Sequence, residues 1–407
     1  MSAGCRSCGA ALPAPFLALG PSPISNAYIE PDALDRAEPF YPLDVRFCAG
    51  CGLVQIDDIT IDGSLFDDNY AYFSSFSPSW LEHCRRYCDM IAERLALGND
   101  SFVVEVASND GYLLQYLIAR GVPVLGVEPT ANTAAVARAR GVPTEGAFFG
   151  SNYARELVAR RGQADLVIAN NVLAHVPRLN DFVAGLATLV KPSGTITIEF
   201  PHLLRLVQEA QFDTIYHEHY SYFSLAAVQS LFARHGLTVY DVDVLGTHGG
   251  SLRIYVGREQ PVAAIVAAIV AQEQAEGLDE PARYTRLAAE VDEARRALVV
   301  FLDEARASGR RVVGYGAPAK GNTLLNYCGV TREQLAFTVD VSPRKQGRYL
   351  PGTRIPILAP EAIFEARPDV VLILPWNLKH EIMAQLAGIR DWGGQFAVPI
   401  PRLEVIP

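Results

Sequence analysis

Apolar residues recur every three or four positions across PSWLEHCRRYCDMIAERLAL, residues 78–97, which predicts an amphipathic helix with one buried stripe. Downstream the period changes. FVVEV, VPVLGVEP, ADLVIANN and GTITIEFP are short continuous apolar runs, and helical stretches such as GYLLQYLIARG lie between them. Strands alternating with helices build a parallel, doubly wound sheet, whose ligands lie at the carboxyl ends of the strands. Residues 262–308 read as helical, with a break around Gly277 to Pro281. RRVVGYGAPAKGNTLLNY then repeats strand, glycine-rich turn and helix, and FTVDVS, DVVLILPW and FAVPIP add further apolar runs, so a second sheet of this type is expected. No sequence repeat joins the two.

Residues 1–62 differ, being rich in Pro and Gly and poor in helix signals, and they hold Cys5-x-x-Cys8 and Cys48-x-x-Cys51. Each pair sits on a knuckle, CRSCG or CAGCG, where the following glycine permits the tight turn that aims two thiolates at one ion. Four thiolates satisfy tetrahedral zinc and leave no open position, so a structural Zn2+ is expected. Cys84 and Cys88 lie on the predicted helix and are expected to face the core as thiols.

The expected organisation is α/β: a small zinc-binding domain over 1–62, a central Rossmann-like domain with its lead-in helix over 63–250, and a second Rossmann-like nucleotide-binding domain over 251–407. Half of the 407 residues are hydrophobic and 20% charged. No run of about eighteen apolar residues occurs, so no membrane partner is expected. The N-terminal stretch lacks the regions of a signal peptide, and the expected location is cytoplasmic. A formal charge of -10 argues against nucleic acid as a partner. Oligomeric state is not fixed by sequence, with a monomer favoured.

Two glycine-containing turns carry different chemistry. Glu105, Ala107, Ser108, Asn109, Asp110 and Gly111 close a strand and open a helix, but with one glycine and flanking acids they are not GxGxxG. That turn suits a phosphate-free cationic adenosine cofactor, S-adenosylmethionine, better than a dinucleotide. Glu128, at the end of the next strand, is placed to accept the ribose hydroxyls, and Asn170, Asn171 and His175 would line the same crevice. The second turn, Tyr315, Gly316, Ala317, Lys320, Asn322 and Thr323, is a better anion cradle, with small residues, a lysine and a helix N-terminus. Asp340 and Ser342 follow the next strand, where a ribose or base contact is expected.

FDTIYHEHYSYFSL, residues 212–225, concentrates histidines, acids and tyrosines. Taken alone it is either a packed aromatic segment or the equipment for moving a proton at carbon. Its place after a cofactor-type strand and before the anion cradle favours catalysis. His217 reads as a hydrogen-bonded core neighbour, although a metal pair with His219 stays open. His248 in THGGSLR either contacts a sugar or diphosphate or braces a domain junction. Trp376 and Asn377 stand at a possible ligand edge, where an aromatic is more often packing.

The Cys pairs, EVASNDGYLL, NNVLAHV, FDTIYHEHYSYFSL, HGGSLR and GYGAPAKGNTLLNY, in this order, resemble the zinc-containing sugar C-methyltransferases of deoxysugar biosynthesis. The resemblance spans essentially the whole chain. It implies S-adenosylmethionine in the central domain and a nucleotide sugar, usually thymidine-linked, in the C-terminal one. It also implies methylation of a 4-keto-deoxysugar at carbon 3, and a catalytic set of Tyr216, Glu218, His219, His175 and Tyr70. On that reading His219 is the base, Glu218 orients it, and Tyr216, His175 or Tyr70 donates to the enolate oxygen. Methylation at carbon 5 and a nicotinamide-dependent oxidoreductase acting on a nucleotide sugar are the alternatives.

Overall fold

The computed structural model describes residues 4–59 and 73–407. Its central sheet has seven strands in the order Thr238–Leu245, Ser251–Gly257, Val190–Pro201, Ala164–Asn170, Val103–Val106, Val124–Val127, Thr144–Glu145. The five from Val190–Pro201 onward run parallel, as the alternation of apolar runs and helices predicts, and the first two are antiparallel. Ser251–Gly257, at the start of the expected C-terminal domain, is buried along its length and pairs with Val190–Pro201 inside the central sheet, with Leu252 opposite Phe200.

Pro78–Arg94 forms the lead-in helix, started by Pro78 and capped by the Ser77 side chain, which accepts from Trp80 N–H. Its apolar stripe, including Cys84 and Cys88, is buried against the sheet, and neither cysteine is a ligand of the four-cysteine cluster. The predicted helical region is two helices, Ala264–Glu276 and Pro281–Ala307, separated at the left-handed Gly277. The C-terminal sheet runs Ile357–Leu358, Thr338–Val339, Val312–Tyr315, Val370–Ile373, Gln395–Val398, Glu404–Ile406, with only the last pair antiparallel.

The N-terminal sheet is built from Leu17–Ser22, Tyr41–Phe47 and Val54–Ile56. Its fourth strand comes from elsewhere: Ser221–Tyr222, within FDTIYHEHYSYFSL, pairs antiparallel with Val54 and Gln55. Leu43, Val45 and Ile56 of this sheet, Phe212 and Ile215 of the same segment, and Val313 and Leu372 of the C-terminal sheet belong to one continuous apolar core. The histidine-rich segment is thus anchored by both outer domains. Among the described residues, no helix is long and apolar enough to cross a membrane.

Candidate active site and metal centre

The four knuckle cysteines converge as their spacing predicts. Their sulfurs all lie within 4.8 Å of one another, with Cys5–Cys51 and Cys8–Cys48 each at 3.5 Å. A tetrahedral zinc with bonds of about 2.3 Å has sulfur–sulfur edges of about 3.8 Å, so this set fits a closed zinc site. Gly9 and Gly52, after the second cysteine of each pair, both take φ of 75°. The knuckle is also gripped from the central domain, where Asn180 Nδ2 donates to Arg6 O and Ser7 O at 2.9 and 3.0 Å.

The first turn follows strand Val103–Val106, with Ala107 and Asn109 in the left-handed region. Glu128 binds that turn, accepting from Asn109 N–H at 2.8 Å, from Thr130 N–H at 2.9 Å and from the Thr130 hydroxyl. A carboxylate has about four acceptor sites, so room for another donor remains. Asp110 accepts through Oδ2 from Arg140 at 2.9 Å and from Ser75, while its buried Oδ1 is without a partner among the described residues. A Cβ on Gly111 would meet Val142 Cγ2 at 2.8 Å, so the glycine, expected to admit a ligand, admits a protein neighbour. Glu105 is fully buried, and desolvation, with the charges of Glu128 and Asp110, pushes its carboxyl well above the usual range against a hydrogen bond from Tyr112. It is a core acid of the strand. Ser108 is fully buried and its hydroxyl is without a partner among the described residues.

Asn170, on the neighbouring strand, is open to a ligand through both atoms of its amide. It ends strand Ala164–Asn170, and both polar atoms of its buried amide are without partners among the described residues. A buried amide with neither donor nor acceptor satisfied is costly unless a ligand completes it, which is a fit to a polar cofactor at the carboxyl end of the sheet. Asn171, at φ of 55°, turns back toward His248, whose Nε2 is 3.5 Å from its Nδ2.

Beyond the central sheet, the histidine-rich segment folds as a short 3-10 turn over Phe212–Thr214 and then a tight turn in which His219 N–H donates to Tyr216 O at 2.9 Å. The bend that the pairing of Glu218 with His219 required is present, but the pairing is absent. His219 Nδ1 lies 3.0 Å from Thr214 O, and its Nε2 lies 2.7 Å from the Tyr216 hydroxyl. A carbonyl can only accept, so Nδ1 carries the hydrogen and Nε2 the lone pair that accepts from the phenol. Glu218 instead accepts from Asn26 Nδ2 through both oxygens, at 2.8 and 2.9 Å.

His175 comes from the turn Leu173–His175 and meets His219 edge to face, with ring centroids 4.7 Å apart. Burial, with the nearby His175 and His248 rings, drives His219 well below the usual imidazole range, and burial lowers His175 and His248 to about 4. Near neutral pH all three are uncharged. Burial raises Glu218 to about 7 against the stabilising Asn26 bond. His217 is the expected core neighbour, 1% exposed with Nε2 3.1 Å from Pro42 O, and it belongs to no metal cluster among the described residues. Tyr70 lies outside the described residues.

The second turn leads into helix Ala319–Tyr327 and is occupied differently from expectation. Asn322 and Thr323, read as substrate contacts, brace domains: Asn322 Nδ2 donates to Ser25 O at 2.6 Å and Thr323 Oγ1 to Ile215 O at 2.9 Å. Gly316, at φ of 89°, packs where a Cβ would meet Pro375 at 2.6 Å. The Tyr315 hydroxyl donates to Gln385 at 2.9 Å. Asp340 accepts from Ala317 N–H at 2.8 Å and Ser342 N–H at 2.9 Å. Ser342 Oγ is buried without a partner among the described residues. Lys320 lies 4.3 Å over the Trp376 ring and donates to Asn377, and burial lowers it to about 8 against the pull of Asp213. Trp376 Nε1 donates to Asp213 at 2.7 Å, so the tryptophan is more than packing. His248 sits at φ of 55° against Trp80, rings 5.2 Å apart, and feels the charge of Lys320.

Sequence reasoning missed Asn26, Tyr28 and Lys345. The Tyr28 hydroxyl and Lys345 Nζ both donate to Ala317 O, at 2.6 and 2.9 Å. No spacing rule connects residues 289 apart in the chain, and only the fold brings them together.

A doubly wound sheet with its open amide at the carboxyl end, joined to a four-cysteine centre, defines an S-adenosylmethionine-dependent methyltransferase with a zinc-binding domain. Family models match in the same order: "Putative zinc binding domain" over residues 5–66, "Methyltransferase domain" over 80–242 and "C-methyltransferase C-terminal domain" over 246–401. The chain is 36% identical over 405 residues to C-methyltransferase NovU of Streptomyces niveus, covering 99% of this chain and 96% of that one. It belongs to the C-methyltransferase family and is an S-adenosylmethionine-dependent C-methyltransferase. The nicotinamide alternative falls with that assignment. Solved structures align more distantly. Magnesium protoporphyrin IX methyltransferase of Synechocystis PCC 6803 is 15% identical, covering 49% of this chain and 86% of its own, with a TM-score of 0.34. A methyltransferase of Clostridium acetobutylicum is 10% identical, covering 44% and 92%, with a TM-score of 0.36.

Proposed function

We propose that the enzyme methylates a nucleotide-diphosphate 4-keto-deoxysugar, thymidine-linked, at carbon 3. The observation that carries this reading is His219, a buried neutral imidazole with its lone pair on Nε2, set between the cofactor-type sheet and the Lys320 turn. A proton beside a ketone is acidic because the charge left behind spreads to the carbonyl oxygen. His219 takes that proton, with Thr214 O holding Nδ1–H and so fixing the tautomer, the part first expected of Glu218. Because burial makes His219 a weak base, the enolate oxygen needs donors, and Tyr216 is the nearest, with Tyr70 as the second expected from the family resemblance. S-adenosylmethionine, when bound, supplies the electrophilic methyl group to the carbon so activated. Asn170, with Glu128 and the turn from Ala107 to Gly111, would hold it. Lys320, whose charge reaches His248, and the unpartnered Ser342 hydroxyl support a diphosphate and sugar between the two sheets. The four cysteines would hold zinc in a structural role.

The test is incubation of the metal-replete protein with S-adenosylmethionine and a panel of thymidine-diphosphate 4-keto-6-deoxyhexoses. Mass gain is the first readout and exchange of the carbon-bound proton in deuterated water the second. Because a 4-ketone activates both flanking carbons, the position of deuterium separates carbon 3 from carbon 5. Binding of S-adenosylmethionine with neither exchange nor methylation of any keto sugar would sink the proposal.

A further inference from the structure

Glu218 has lost the partner expected for it and acquired one that no motif announced. The residue is 3% exposed, and among the described residues no cation pairs with its carboxyl. Asn26 is the side chain that bonds it, and both contacts run from one nitrogen to two oxygens, which fixes the carboxyl plane. Asn26 is itself held within a turn in which Ala27 N–H donates to Ile24 O at 3.1 Å and Tyr28 N–H to Asn26 O at 3.0 Å. The Tyr28 hydroxyl lies 3.3 Å from Asn26 Oδ1 and donates to Ala317 O in the second glycine-containing turn. A continuous line of side chains therefore runs from that turn through the N-terminal domain to the catalytic turn.

We propose that Asn26 is a positioning residue of the methyl-transfer site, fixing the Glu218 carboxyl in orientation and stabilising its ionised form. The proposal rests on the reading above, in which His219 is the base, and adds that Glu218, its neighbour in the same turn, keeps a part in the reacting site although Thr214 O orients the imidazole. An amide N–H can only donate, so it favours the carboxylate over the acid, while burial does the opposite. The other groups that face Glu218 are few. Tyr28 and Tyr220 feel its charge, His175 meets its backbone, and Lys345 and Asp340 lie behind Tyr28. Burial lifts the carboxyl to about 7, and the Asn26 amide opposes that rise.

The test uses the full-length, metal-replete protein as wild type and as Asn26→Ala, Asn26→Asp, Asn26→Gln and Glu218→Gln. The Glu218 carboxyl is titrated by 13C NMR, with Glu218→Gln supplying the assignment. In parallel, the pH profile of deuterium exchange is measured with a thymidine-diphosphate 4-keto-6-deoxyhexose. Asn26→Ala should raise both the carboxyl titration and the matching limb of the profile by about one pH unit, a tenfold change in the protonation equilibrium. Asn26→Asp, of equal shape but unable to donate when ionised, should raise them further, and Asn26→Gln should restore part of the shift. Affinity for S-adenosylmethionine and metal content should not move. If Asn26→Asp titrates as wild type, shape alone matters and the proposal fails. If Glu218→Gln leaves the exchange profile unchanged, the role of Glu218 in the reaction fails instead, and the carboxyl titration still decides what Asn26 does.

Discussion

Replacing Tyr216 with phenylalanine separates a resting contact from a catalytic one. The phenol donates to His219 Nε2 at 2.7 Å, and the rings lie 4.0 Å apart at 32°. In the resting enzyme the change leaves a buried imidazole acceptor unpaired, at about 1–3 kcal/mol. A fold of ordinary stability survives that loss. On the proposed mechanism the same phenol has a larger task during enolisation, because one proton cannot serve both Nε2 and the enolate oxygen. When His219 uses its lone pair on carbon, the phenol is released toward the developing charge. Loss of one such donor costs about 10²–10³ in kcat, or about 3–4 kcal/mol. Deuterium exchange into the keto sugar isolates this step from methyl transfer. The expected result is an exchange rate reduced by about a hundredfold or more, with KM and S-adenosylmethionine affinity near wild type. A reduction below about threefold would show that the contact only packs the resting site, against a donor's usual contribution. Normal exchange with methylation lost would place Tyr216 at the later step, and the reasoning would be wrong.

His219→Ala should lose about 10²–10⁴ in exchange and turnover while retaining both ligands, whereas His217→Ala, removing a core bond to Pro42 O, should lower thermal stability and spare the rate. Lys320 is lowered from 10.5 to about 8, so it is charged below that pH and neutral above it. KM for the nucleotide sugar should therefore climb by up to about tenfold per unit above pH 8 while S-adenosylmethionine affinity stays flat, and a flat KM would remove Lys320 from the diphosphate site. Stripping the metal with a chelator should increase hydrogen exchange at residues 214–222 and cut turnover, with S-adenosylmethionine affinity changed by less than about threefold, since the cysteines lie outside the cofactor turn. Unchanged exchange there would disconnect the metal from the catalytic turn.

Most of the architecture was legible because it rests on local pattern. The alternation of apolar runs and helices gave both parallel sheets, the Pro78–Arg94 stripe gave its helix, and the knuckle spacing gave the four-cysteine cluster. What could not be read was pairing across long separations. Ser251–Gly257 looks like any short apolar strand, and only its hydrogen bonds to Val190–Pro201 place it in the central sheet. The site shows the same division. Residue types near the chemistry were visible, but their partners were not, because adjacency of Glu218 and His219 in sequence suggests a contact that the turn opens. Asn322 and Thr323 sit where a phosphate cradle would use them, yet the facing domain supplies carbonyls that claim their donors.

Those carbonyls explain why the catalytic turn belongs to none of the domains alone. Ile215 O is held by Thr323 and Asp213 by Trp376, both from the C-terminal domain. Glu218 is held by Asn26 and Ser221–Tyr222 pairs with Val54–Gln55, both from the N-terminal domain. Arg6, between the first two cysteines, donates to Ile56 O at 2.6 Å and to Tyr220 O at 2.9 Å, so the knuckle reaches the backbone one residue beyond His219. A closed metal centre offers no coordination position for chemistry. On the proposed mechanism its part is mechanical: by fixing Arg6 a bound metal would fix the strand that ends the turn, and a loop bearing the proposed base needs such restraint to hold one tautomer and one geometry.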